Sequence, residues 1–168
     1  MNFDPARLDV AAFAQAGGAL QGEAALHAWP RLAAEAASEG EGADATGAPE
    51  AANAVRWQAH GESRRITGGA TQSWLHLEAT ARLPMTCQRC LTPVGVALAV
   101  DRWFRFVADE RTAELEDDAS DEDLLVASRQ FDLHGLIEDE LLMALPLVPR
   151  HDRCPGAPGR AASGDPIA

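Results

Sequence analysis

Two runs of alternating apolar residues meet at a Cys-x-x-Cys element, and this junction limits the fold more than any other stretch. Leu75, Leu77, Ala79, Ala81, Leu83 and Met85 alternate with other residues up to Cys87. Val94, Val96, Leu98 and Val100 resume the alternation after Pro93. Successive side chains of a strand point to opposite faces, so a period of two marks a half-buried strand. Two such runs joined by a short loop predict a β-hairpin over 73–87 and 94–107, with the thiols of Cys87 and Cys90 at its tip.

A third cysteine lies far downstream in His151-Asp152-Arg153-Cys154. Cys87, Cys90, His151 and Cys154 are the ligand types of a tetrahedral zinc site, and a two-residue spacer lets both hairpin sulfurs face one ion. The bland alternative is a reduced CxxC beside an unrelated tail cysteine. A redox motif of the thioredoxin kind needs a helix directly after the CxxC to lower the first thiol's pKa. Pro93 and a period-two run follow here instead. Three cysteines, an odd number, do not make a disulfide framework and fit a reducing cytoplasm. No apolar run approaches the roughly 20 residues needed to span a bilayer, and the N-terminus lacks the basic and apolar regions of a signal peptide. A cytoplasmic location without membrane contact is expected. No P-loop, dinucleotide fingerprint or nucleophile elbow occurs, so no catalytic residue is assigned and no enzyme is expected.

The formal net charge of −12 argues against a nucleic-acid partner, but its distribution weakens that argument. Residues 109–123 hold nine acidic residues against Arg111, and 32–53 hold five against none. Residues 54–108 hold seven Arg against Glu62, Glu78 and Asp101, so the hairpin region is mildly basic. Arg56, Arg64, Arg65, Arg82, Arg89, Arg102 and Arg105 are interleaved with Trp57, Trp74 and Trp103, and Arg64, Arg65, Arg89, Arg102 and Arg105 are the leading candidates for contact with RNA or a partner, Arg on phosphates and indoles on bases. The competing reading is a solvated Arg face with the Trp in the core. The acidic run would suit a basic ribosomal protein or assembly factor.

Along the chain, Asp9 can start a short helix that Gly17-Gly18 stops. Leu20 to Trp29 reads as a strand ended by Pro30, and 31–37 as a helical piece. Residues 38–53 are expected as a flexible acidic insertion, 109–123 as a second, and 155–168 as a disordered tail. Val55, Trp57 and Ala59 begin a strand, Gly61-Glu62-Ser63 is a turn candidate, and 64–70 a weak strand with a bulge or turn at Gly68-Gly69. Leu124-Leu125-Val126 adds a short strand. The best helix runs from Phe131 to Pro146, with Asp132 as N-cap, Phe131 and Leu136 as a hydrophobic staple, and Pro146 as the stop. Glu140 falls within its apolar stripe and needs a partner, expected to be an arginine such as Arg89. Together these predict one α+β domain over 1–154, an antiparallel sheet with a C-terminal helix packed on it.

Cys87-Gln88-Arg89-Cys90-Leu91-Thr92-Pro93, followed by Asp132-Leu133 and then Glu138-Asp139-Glu140-Leu141-Leu142-Met143-Ala144-Leu145-Pro146, resembles the pattern of the YceD family, the large ribosomal RNA subunit accumulation proteins of bacteria. The likeness covers roughly 64–154, in order. It implies a cytoplasmic, non-enzymatic protein acting in synthesis, processing or stability of large-subunit (23S) ribosomal RNA. Metal and nucleic-acid binding have also been suggested for the family. A zinc-stabilised protein-interaction module that does not act on RNA is the alternative.

Overall fold

The computed structural model describes residues 2–37, 54–118 and 121–154. Five strands form one sheet in the order β1-β2-β3-β4-β5. They are β1 (Ala19–Ala24), β2 (Val55–Arg65), β3 (Thr71–Thr86), β4 (Pro93–Val107) and β5 (Asp123–Val126). The first four pair antiparallel, as expected, and β5 adds a parallel edge to β4. Among the described residues four α-helices accompany them, α1 (Val10–Gln15), α2 (Pro30–Ala34), α3 (Glu110–Asp117) and α4 (Leu133–Met143), with a 3-10 turn at Leu26–Ala28. The flexible insertion expected over 38–53 and the tail over 155–168 lie outside the described residues.

The period-two pattern builds the core directly. Val55, Trp57 and Ala59 of β2, Leu75 to Leu83 of β3, and Leu98, Val100 and Phe104 of β4 share the inner face. Val10 and Phe13 of α1, Leu32 of α2, and Leu133, Leu136, Ile137 and Leu141 of α4 join them in one apolar cluster. Asp132 caps α4 by accepting the Gly135 N–H at 2.9 Å, and Pro146 lies just beyond the helix end.

Several expectations are corrected. Gly61 is a strand residue, not a turn: a Cβ there would stand 2.6 Å from the Phe13 ring, so the missing side chain lets α1 dock on β2. β2 therefore continues to Arg65, and the turn falls at Gly68 and Gly69, both at positive φ. The strand before Pro30 stops at Ala24. Pro30 itself opens α2, at a position where its missing N–H is no loss. The acidic stretch 109–123 holds α3 and the start of β5 where a loop was expected. Asp109 caps α3 by accepting from the Thr112 N–H at 2.8 Å. Arg105 of β4 then binds Glu116 at 2.8 Å and Glu122 at 2.9 Å, offsetting repulsion that sequence alone leaves uncompensated.

The Glu138-Asp139-Glu140 triplet of α4 is held side chain by side chain. Glu138, buried, accepts the N–H groups of Arg31 and Leu32 at 2.8 and 3.1 Å and the Arg31 Nε at 3.0 Å. It thereby caps α2, whose N-cap Trp29 offers no side-chain acceptor. Asp139 takes Arg31 Nη1 at 2.6 Å. Glu140 takes Arg102 Nη1 at 2.9 Å. The expected partner Arg89 is replaced by Arg102, which lies opposite Leu77 on the inner face of β4 and so faces α4.

Candidate metal centre

Ligand atoms of Cys87, Cys90, His151 and Cys154 all lie within 4.8 Å of one another. Cys87 Sγ is 3.8 Å from Cys154 Sγ, and Cys90 Sγ is 3.4 Å from His151 Nδ1. Metal–sulfur bonds of about 2.3 Å at the tetrahedral angle give sulfur–sulfur edges of roughly 3.8 Å. The cluster can therefore hold a metal ion.

Local backbone geometry creates the first half of the site. The Cys87 N–H bonds to the Thr92 carbonyl at 2.9 Å, and the Leu91 N–H to the Cys87 carbonyl at 2.8 Å. Leu91 closes this turn at φ 61°, in the left-handed region. The turn also aims the Arg89 N–H at Cys87 Sγ, 3.4 Å away. The second half arrives after α4. The Gln88 N–H holds the carbonyl of buried Pro149 at 2.9 Å, and the His151 N–H approaches Cys87 Sγ at 3.5 Å. His151 Nε2 lies 2.9 Å from the Pro93 carbonyl, which can only accept. Nε2 therefore carries the proton, and the Nδ1 lone pair faces the thiols, the arrangement a metal-binding imidazole needs.

The electrostatics agree with thiolate ligands. Burial pushes the Cys87 thiol up, but N–H groups of Cys90, His151 and Arg89 outweigh it and lower its pKa to about 5. The Thr92 hydroxyl, 3.0 Å from Cys90 Sγ, holds Cys90 below the ordinary thiol range. Burial raises Cys154, with its two neighbouring thiols adding to the effect. His151 is lowered by burial but raised further by Cys87 and Cys90. Thr92 and the Pro93 carbonyl went unseen in sequence. A hydroxyl two residues past the second cysteine is a readable signal for Thr92; a backbone carbonyl leaves none.

The arginine candidates separate into distinct environments. Arg102 binds Glu140 and Asp123, and Arg105 is buried between Glu116 and Glu122, so the charge of both is offset within the fold. Arg64 lies on the outer sheet face with its guanidinium 4.1 Å from the Trp74 ring centre and 4.7 Å from that of Trp103. It also bonds Glu62 at 2.7 Å. Trp57 is buried on the inner face. Arg65 is exposed at the end of β2, and Arg89 is exposed between the two hairpin cysteines. His76 stacks on Trp103 and bonds Asp101 at 2.6 Å.

The model of one protein family, described as large ribosomal RNA subunit accumulation protein YceD, matches residues 75–167. The match begins within β3 and takes in Cys87, Cys90, His151, Cys154 and α4. No curated protein and no solved structure matches the chain.

Proposed function

The chain belongs to the YceD family of large ribosomal RNA subunit accumulation proteins, and we propose that it is a non-enzymatic, cytoplasmic ribosome-biogenesis factor supporting synthesis, processing or stability of 23S ribosomal RNA around a structural zinc ion. The observation that carries the zinc reading is the meeting of Cys87, Cys90, His151 and Cys154. Three thiolates and one imidazole are a soft N/S set suited to zinc, and four protein ligands close a tetrahedral sphere. A closed site has no position for a reactive water, which fits a structural role and argues against hydrolytic chemistry. When bound, zinc would contribute folding energy and tie residues 149–154 to the hairpin tip.

Metal analysis of protein purified without chelator should give one zinc per chain, with Cys87→Ala and Cys154→Ala reducing it. In cells lacking the chain, large-subunit ribosomal RNA should fall relative to small-subunit RNA, and wild-type but not Cys87→Ala protein should restore it. An unchanged ribosomal RNA profile would remove the biogenesis role. A second reading, a zinc-stabilised protein-interaction module with no RNA role, draws support from exposed Leu91, Leu147 and Val148 beside the knuckle.

A further inference from the structure

The arginines next to the candidate metal ligands in the chain share only Arg89 with the hairpin arginines that sequence patterning selects. Arg89 sits between the two hairpin ligands, while Arg150 and Arg153 flank His151 and Cys154. The four ligand atoms lie within 4.8 Å of one another, so these three arginines are gathered at one end of the molecule by the site itself. All three are exposed. Arg82 is exposed too, and its guanidinium lies over Gly95, where a Cβ would meet its Nε at 2.7 Å, on the strand that begins at Pro93. None of the four makes an ion pair among the described residues. Asp152 is the acidic residue in the His151–Cys154 segment. Three thiolates and an imidazole around a divalent ion add one negative charge, so the four arginines, Asp152 and the metal centre together keep a net positive charge, while the described start of the other acidic stretch also reaches this end, where the Ala37 N–H bonds the Pro84 carbonyl at 2.8 Å.

The acidic stretch 109–123 lies at the other end of β4. The 15 residues of that strand separate the two ends by roughly 45 Å. Charges interact over about 8 Å at physiological ionic strength, so those acids do little to repel a polyanion at the knuckle. A cluster of arginines that make no ion pair among the described residues fits a phosphate backbone better than it fits a basic protein.

We propose that the knuckle end, through Arg82, Arg89, Arg150 and Arg153, is an RNA-binding surface that the metal assembles by bringing Arg150 and Arg153 up to Arg89. This rests on the biogenesis role and the zinc site proposed above. It locates the RNA contact away from Arg102 and Arg105.

The test uses full-length, zinc-loaded protein and fluorescence anisotropy with a labelled single-stranded RNA transcript from 23S ribosomal RNA, over a range of salt. One variant carries Arg89→Ala, Arg150→Ala and Arg153→Ala. A control carries Arg7→Ala, Arg111→Ala and Arg129→Ala, exposed residues away from the knuckle with the same change in net charge. Zinc content and thermal midpoint verify that both variants fold. The knuckle variant should lose at least tenfold in affinity and flatten the salt dependence by about two logarithmic units per decade of salt. The control should bind like wild type. Equal loss in both variants would mean net charge alone governs binding and would overturn the proposal, as would full binding by the knuckle variant. No binding by wild type at low salt would overturn it in favour of a protein partner. The biogenesis role is judged separately, by whether wild-type protein restores large-subunit RNA in deficient cells, and so can survive any of these failures.

Discussion

Leu91 follows the second hairpin cysteine with a left-handed backbone and an exposed side chain. A branched side chain in that region costs about 1–2 kcal/mol, and nothing in the packing around Leu91 offsets it. Glycine adopts the same conformation without the clash but loses more entropy on folding. Leu91→Gly is therefore expected to stabilise the protein by up to about 1 kcal/mol, seen as a raised thermal midpoint with zinc content unchanged. A lowered midpoint would show that the leucine side chain has a packing role. Cys87 gives a second prediction at this scale. Burial raises its thiol, and the N–H groups of Cys90, His151 and Arg89 bring it down to about 5, from an ordinary 9. A depressed folded value stabilises the metal-free fold fully above the unfolded pKa, and that contribution disappears as pH falls through about 5. Titrating the thiolate ultraviolet absorbance of metal-free protein should reveal one step near pH 5 that Cys87→Ser removes. Three steps all near the ordinary thiol range would contradict the arrangement of N–H donors around this sulfur.

The elements differ in how far sequence revealed them, and the reason is physical. The β3–β4 hairpin and α4 were legible because their signals are local: a period of two, an N-cap aspartate, an apolar stripe, a proline stop. The helix α3 was not. Its acidic run looks self-repelling until Arg105 on β4 is placed against Glu116 and Glu122, and register across strands is not written in local pattern. Gly61 likewise reads as a turn until Phe13 of α1 is packed on it. The same non-local logic explains the Glu138-Asp139-Glu140 triplet, whose partners Arg31 and Arg102 lie about a hundred and about forty residues away. Glu138→Ala strips the acceptor from two backbone N–H groups at the start of α2 and should cost about 1–3 kcal/mol in chemical denaturation. Glu138→Gln, which keeps one acceptor, should cost less. For Glu140, a double-mutant cycle with Arg102 should show coupling of roughly 1 kcal/mol, since Arg102 is partly exposed and keeps Asp123 when Glu140 is removed. Additive single mutants would mean the pair carries no net coupling.

Across the whole molecule, the candidate metal site draws its residues from two distant chain segments, which the Gln88 N–H to Pro149 carbonyl bond also ties together. The ligand types and the CxxC spacing were readable in sequence, and the structure brings them together. Their meeting was not readable, because it depends on α4 ending where it does and on the Gln88 N–H reaching the Pro149 carbonyl. The basic character of the hairpin was legible as composition, whereas the assignment of individual arginines was not. Arg102 and Arg105 serve internal carboxylates, while Arg89, Arg150 and Arg153 gather at the knuckle. Chelation of the metal should accordingly free residues 149–154 and increase proteolysis around Arg150 and Arg153, with α4 and the sheet keeping their protection. The proposed zinc site stands or falls on one tetrahedral ion held by three sulfurs and one imidazole from these two segments. X-ray absorption at the zinc edge on full-length protein purified without chelator tests it most directly. The expected result is one zinc per chain, with three sulfur neighbours at about 2.3 Å and one nitrogen at about 2.0–2.1 Å. A zinc shell dominated by oxygen or nitrogen, or no stoichiometric zinc, would contradict it.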